Sequence, residues 1–334
     1  TAANVAGNYN YRMSYRCYLF VILTYVLSIY VLKLDRHNLF NGKKRLISVG
    51  IAILAAVCGF SLFIQSSRFD DSLKIKMFKP QESYRKYGDY LTFTHSIRYI
   101  KGHKPEGYSE DKVEQISAQY PGIKGNGKKP NIIMIMNEAL ADFSSISDIE
   151  TNEDYMPFIH GLTENTVKGD LFVSIFGGGT SKTEYEALTS NSMAFMPKGS
   201  TPYVTYISRK TSSLATTLRA QGYGGMVAMH PYKGSGYKRN KVYPLLGFDK
   251  FYDLPEFNNA KVIRNHVSDE GNFDKIIEVY EQNRKKDKKP FFLFDVTMQN
   301  HSSYDRKWDN LSDDISTIKD YGDDVNIYLN LVKA

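Results

Sequence analysis

A chain of 334 residues, 42% hydrophobic and 24% charged, carries enough apolar material for a sizeable core, which excludes an intrinsically disordered protein. Its two cysteines, Cys17 and Cys58, both fall in apolar runs, which excludes a disulfide framework and a cysteine-built metal centre. The net charge of +7 is lopsided: the first 65 residues hold seven Lys or Arg and one acid, a net of +6, so only +1 is left for the rest and no nucleic-acid patch is implied.

The chain opens at Thr1 without a Met or a signal-like charged start, and reads as a piece of something longer. Residues 46–65 (LISVGIAILAAVCGFSLFIQ) are 20 uncharged residues in a row, which at ~1.5 Å per residue matches a hydrocarbon core of roughly 30 Å and predicts a membrane span. Residues 17–32 (CYLFVILTYVLSIYVL) make a shorter candidate of 16, with Tyr15 and Tyr30 as interfacial aromatics; the alternative for this run is a buried soluble helix. Between the two runs Lys33, Arg36, Lys43, Lys44 and Arg45 stand against the single acid Asp35, so this loop is expected in the cytoplasm and everything after Gln65 outside. Residues 66–129 then read as an arm. It has short helical pieces at 87–100 and 111–120, a breaker at 104–107 (KPEG) and a flexible polar hinge at 125–129 (GNGKK).

From Pro130 to residue 334 the pattern becomes that of an α/β domain. The run NIIMIM at 131–136 predicts a central parallel strand, closed two residues later by the acid Glu138. Residues 169–176 (GDLFVSIF) predict a buried strand, followed by Gly177, Gly178 and Gly179, then Thr180, then a helix across 183–188. A helix at 208–220, a strand at 225–229, a helix near 272–286 and a strand at 290–296 complete the alternation, which implies a mostly parallel sheet with helices on both faces. Ligands of such sheets bind beyond the carboxyl ends of the strands, where Glu138 and Thr180 would emerge together, with His230 and His301 each close behind a strand.

The glycine turn brings backbone N–H groups and the positive end of a helix dipole to one spot, which favours a phosphate, and the Thr180 hydroxyl is then set to attack it. A carboxylate and a hydroxyl converging on one rim suggest a metal site. Blander alternatives exist for each residue: Thr180 as a helix N-cap, Glu138 as a solvated strand end, the histidines as structural groups. No P-loop, dinucleotide fingerprint, Gly-x-Ser-x-Gly elbow or His-Glu-x-x-His is present.

Four segments in order, NIIMIMNEALADFS (131–144), FGGGTSKTEYE (176–186), His230-Pro231-Tyr232-Lys233 with Tyr237-Lys238-Arg239-Asn240, and Thr297-Met298-Gln299-Asn300-His301, resemble the lipoteichoic acid synthase and phosphoglycerol transferase family of the alkaline phosphatase and sulfatase superfamily. The resemblance runs from about Tyr84 to the C-terminus. It implies an alkaline phosphatase/sulfatase-like α/β fold preceded by transmembrane helices, Thr180 as nucleophile, Glu138 and Thr180 as metal ligands, and His230, Tyr237, Arg239 and His301 as substrate contacts. It further implies Mn2+, with Mg2+ as the alternative, phosphatidylglycerol as donor, and a glycolipid or polysaccharide acceptor in the envelope of a Gram-positive bacterium. The chain has Met-Asn-Glu-Ala where the family's polymerases carry a Ser-Leu-Glu-Ser type strand end, and Tyr237 where they carry Trp, so it is closer to the wider branch that decorates wall polysaccharides with glycerol phosphate. A sulfatase would need Cys or Ser before x-Pro-x-Arg, and this chain has Thr180-Ser181-Lys182-Thr183; a phosphoethanolamine transferase usually carries disulfides, and no Cys follows Cys58. A non-catalytic sensor or scaffold on the same fold is the reading from another class. The resemblance also implies an Asp-His pair of metal ligands that is not among these residues, so the chain as written is expected to bind metal weakly, not to catalyse transfer by itself, and to lack a strand of its sheet; its last segment, YLNLVKA, reads as the start of a helix.

Overall fold

The computed structural model describes residues 80–89, 91–93, 106–120, 127–175, 177–196 and 200–334, with isolated helical positions between 22 and 59. The two expected membrane spans therefore lie mostly outside the described residues, and among those described no helix is long and apolar enough to cross a membrane. The chain divides into two compact units, residues 1–103 with 197–199, and residues 104–196 with 200–334.

In the first unit, helix α1 (Pro80–Tyr87) ends where Gly88 takes a positive φ of 80°. The helical piece expected at 87–100 is thus broken at its start, because a left-handed residue cannot continue the ladder. Residues 91–93 are helical again, and 94–100 lie outside the described residues.

The second unit begins with α2 (Glu110–Gln119), one residue ahead of expectation because the Ser109 hydroxyl accepts the Lys112 N–H and caps the first turn. Its sheet is wholly parallel, with strand order β1-β6-β2-β3, built from β1 (Ile132–Met136), β2 (Met226–Met229), β3 (Lys250–Tyr252) and β6 (Phe292–Val296). Every residue of β2 and β6 is buried, as an interior parallel strand covered on both faces requires. One face bears Met226, Ala228, Phe292, Phe294 and Val296 and packs under α3 (Thr180–Thr189), α4 (Leu214–Ala220) and α5 (Arg239–Leu245) through Leu188, Leu218, Val242 and Tyr243. The other bears Val227, Met229 and Leu293 and packs under α6 (Asp269–Lys286) through Ile276 and Val279. A two-stranded antiparallel hairpin, β4 (Val262–Ile263) and β5 (His266–Val267), leads into α6. The last helix, α7 (Asp323–Lys333), buries Ile327, Tyr328, Leu329 and Leu331, in agreement with the helix read from the final residues.

Three sequence expectations need correction. Residues 169–175 form no strand: Leu171 and Phe172 are 85% and 93% exposed. The apolar run is real, but a strand exists only with a ladder partner, and this run has none among the described residues. The helix expected at 208–220 starts only at Leu214, where Ser213 and Thr216 close a reciprocal capping box that gives the first turn its missing partners. The helix near 272–286 starts earlier, at Asp269, because Ser268 caps it onto Gly271.

Candidate active site

The carboxyl ends of β1, β2 and β6 and the N-terminus of α3 meet on one rim. Glu138 follows β1 by two residues, His230 follows β2 directly, and Thr297 opens the segment after β6 that carries His301. The turn before α3 is left-handed throughout, with φ of 64°, 89° and 79° at Gly177, Gly178 and Gly179, a path that side-chain-bearing residues resist. Gly179 is itself the N-cap of α3, and no side chain caps that helix. The Thr180 hydroxyl is consequently not spent on capping. It donates to Glu138 Oε1 at 2.7 Å.

Glu138 is held from its backbone as well, its N–H donating to Thr297 Oγ1 at 3.0 Å across the β1–β6 pair. Burial raises the Glu138 pKa, against the Thr180 hydrogen bond and the nearby His301 and Arg239, which lower it. The same short-range electrostatic influences tie Tyr237 to Arg239 and Glu138, and His230 to Arg239 and His301. The six residues singled out in the sequence are therefore brought to one place.

Each has a distinct setting. His230 is buried, with Nδ1 2.8 Å from the Val296 carbonyl; since a carbonyl only accepts, Nδ1 carries the proton and Nε2 stays open. Burial, and secondly the Arg239 cation, push its pKa well down, so the ring is neutral. His301 is half-buried, its Nδ1 2.9 Å from the carbonyl of Ser302. Tyr237, at a positive φ of 50°, lays its ring 5.2 Å from the Arg239 guanidinium.

Arg239 is more enclosed than a surface phosphate ligand. Its side chain is buried against Glu184 of α3, with Nε 3.2 Å from each carboxylate oxygen, Nη2 bound to Oε1, and the Tyr243 hydroxyl donating to Oε2 at 2.8 Å. That leaves Nη1 for another acceptor. Glu184 is not among the residues expected from the sequence, although a signal for it exists there: it lies four residues after Thr180, one helical turn along the same face. Arg264 gave no such signal. It sits at the tip of the β4–β5 hairpin at a positive φ of 57°, buried, and donates to the carbonyls of Gln299 (2.8 Å), Ser303 (2.7 Å) and His301. One guanidinium thus fixes the loop that carries His301.

A carboxylate and a hydroxyl oxygen 2.7 Å apart are hard donors suited to a divalent cation of the Mn2+ or Mg2+ kind, but among the described residues no group of three or more His, Cys, Asp or Glu is arranged to hold a metal. Glu138 and Thr180 therefore fit part of a coordination shell.

Comparison with known proteins agrees with this fold. The sulfatase family model matches residues 130–333. A Rhizobium meliloti protein named for cyclic beta-1,2-glucan modification is 32% identical over 271 residues, 79% of this chain and 40% of that protein. Lipoteichoic acid synthase 1 of Bacillus subtilis is 30% identical over 202 residues, 59% of this chain and 30% of that protein. The chain thus spans less than half the length of these curated relatives. The crystallised Streptococcus pyogenes phosphoglycerol transferase in complex with sn-glycerol-1-phosphate shares the fold, with a TM-score of 0.56 at 22% identity over 70% of this chain and 63% of that one. Lipoteichoic acid synthase LtaP of Listeria monocytogenes shares it at a TM-score of 0.53 and 24% identity, over 61% of this chain and 48% of that one. With its parallel sheet flanked by helices and its match across the whole second half, the chain belongs to the sulfatase family, beside lipoteichoic acid synthases and phosphoglycerol transferases of the alkaline phosphatase superfamily.

Proposed function

We propose that this chain is the catalytic part of a membrane-anchored phosphoglycerol transferase that moves glycerol phosphate from phosphatidylglycerol, through a threonine-linked intermediate, to a hydroxyl of an envelope glycan. The observation that carries the reading is the Thr180 hydroxyl, free of any capping role and hydrogen-bonded at 2.7 Å to the half-buried carboxylate of Glu138 at a glycine-lined helix N-terminus. In the first half-reaction Thr180 Oγ gives up its proton to solvent and bonds to phosphorus, with the Glu138 carboxylate left free to hold a divalent cation beside it. The phosphorus–oxygen bond to diacylglycerol breaks, the leaving oxygen takes up a proton from solvent, and His301 lies beside the reacting phosphate as a substrate contact. The second half-reaction reverses these roles with an acceptor hydroxyl. The Nη1 of Arg239 binds a phosphoryl oxygen, the unprotonated Nε2 of His230 accepts a hydroxyl of the glycerol, and Tyr237 flanks it. A divalent cation held partly by Glu138 and Thr180 would supply charge neutralisation at the phosphate.

Membrane anchoring is supported by the apolar runs and the basic loop between them, and by Ile22, Tyr25, Val26, Ile47, Ile51 and Leu54, which are helical with exposed side chains. The catalytic unit would then face outward. The relative named for glucan modification favours a polysaccharide acceptor over a growing lipoteichoic acid chain. Incubating the full-length protein with phosphatidylglycerol vesicles and Mn2+ should release diacylglycerol and add a glycerophosphate mass to the peptide bearing Thr180. An absent adduct with intact lipid would overturn the reading, and an adduct elsewhere would move the nucleophile.

A further inference from the structure

Beside the catalytic rim lies a cavity of about 370 Å³ between the tip of the β4–β5 hairpin and the loop after His301, lined among others by Asn265, His266, Ser303, Asp305, Arg306 and Trp308. It joins the rim through a row of rings: His230 to Tyr232 at 6.1 Å, Tyr232 to His266 at 6.2 Å, and His266 to His301 at 6.2 Å between centroids. The transferase chemistry outlined above uses none of its lining side chains.

The composition of the lining selects a ligand class. A bare anion site would exclude a carboxylate, yet Asp305 lines this cavity beside Arg306, held there by the Ser303 hydroxyl, which donates to its Oδ1 at 2.7 Å; the Asn265 amide offers both a donor and an acceptor. Burial holds the His266 pKa down at about 4, so its neutral ring also offers one donor and one acceptor. Arg306 is stacked on Trp308 with its guanidinium carbon 3.9 Å from the ring centroid, which restrains a side chain that would otherwise sample many rotamers. The hairpin tip is rigid for the same reason that the His301 loop is, since Arg264 pins one to the other. Donors and acceptors interleaved around an indole match vicinal hydroxyls on a hydrocarbon ring, each of which gives and takes a hydrogen bond while its C–H face needs an apolar surface.

We infer that this cavity is the acceptor subsite, and that it binds the hydroxyl-rich end of a neutral glycan next to His301. The inference rests on the transferase reading for the word acceptor, but the binding itself does not require turnover.

Trp308 is the single tryptophan of the chain, so its emission reports on this cavity directly. Titrating the full-length protein with a β-linked gluco-oligosaccharide should give a saturable change in emission, matched by calorimetry. Asn265→Ala combined with Arg306→Ala, both exposed positions, should weaken that binding at least tenfold with the melting temperature unchanged, whereas Thr180→Ala should bind as the parent does. A response to sn-glycerol-1-phosphate in place of the oligosaccharide would overturn the neutral-glycan assignment in favour of an anion site, and no saturable response to either would overturn the subsite altogether. Oligosaccharide binding intact while phosphatidylglycerol turnover survives Thr180→Ala would leave the subsite standing and sink the threonine mechanism instead.

Discussion

Two buried polar clusters on opposite faces of the same sheet handle charge in contrasting ways. On one face Arg239 and Glu184 form an ion pair with Tyr243 as a third member, so each charge has a partner within hydrogen-bond reach. On the other, Asp295 of β6 and Asp269 at the start of α6 have no cation among the described residues; Asp295 Oδ2 accepts from Asn272 at 2.6 Å, and its Oδ1 has no partner. Burial pushes Asp295 up to about 8 and Asp269 up to about 6, against hydrogen bonds that pull the other way. A buried charge is thus tolerated where it has a partner, while an unpaired one is avoided by holding the proton. The paired cluster adjoins the rim from one face of the sheet, and Asp269 reaches Asn300, the neighbour of His301, from the other.

The largest expected effect breaks the first cluster. Glu184→Ala leaves the Arg239 charge buried without its carboxylate and should cost about 3–5 kcal/mol, read as a lower midpoint in urea unfolding. A loss under about 1 kcal/mol would mean that the pair is not shielded as drawn. The second cluster should respond with the opposite sign. With a folded pKa of about 8 above its ordinary value of 3.8, Asp295 contributes stability that is fully present below about pH 4 and lost as pH rises through about 8. Asp295→Asn is neutral throughout, so it should flatten that slope and gain about 2 kcal/mol at pH 8.5, a melting temperature higher by roughly 5 °C. Parallel melting curves from pH 5 to 9 for parent and variant would refute the assignment.

Smaller effects sharpen the contrast. Arg264→Lys replaces a fork that reaches three carbonyls with a single ammonium and should cost about 2 kcal/mol, with transfer slowed because the His301 loop loosens; unchanged stability would count against its pinning role. Thr180→Ala should cost least, about 1 kcal/mol, since the hydroxyl makes one hydrogen bond and caps nothing. Diacylglycerol release and the adduct should nevertheless vanish. Retained turnover in that variant would remove Thr180 from the chemistry.

Much of the scaffold was legible in the sequence because β1, β2 and β6 are short apolar runs that stop abruptly at polar rim residues, and because Gly177, Gly178 and Gly179 announce a path that other residues resist. The strands β3, β4 and β5 escaped, being two or three residues long and too short for any period to show. Residues 169–175 misled because apolar content signals burial only when a partner exists to bury against. Of the site, the residues that touch the rim could be read from strand ends and the glycine turn. Those that hold them could not: Arg264 and Thr297 act through carbonyls and hydroxyls 35 and 159 positions away in the chain, a separation that no local pattern records.

Tyr328 of α7 reaches back to the segment that follows Glu138, accepting the Ala141 N–H at 2.7 Å and donating to the Ala139 carbonyl at 2.9 Å, with its ring stacked on Phe143. The phenol is a strut between α7 and the backbone that follows Glu138. Force applied to α7, whether from a docked domain or a pull on the chain, is therefore transmitted to the backbone after Glu138 within one side chain's length, and the alignment of Glu138 with Thr180 is tensioned from α7.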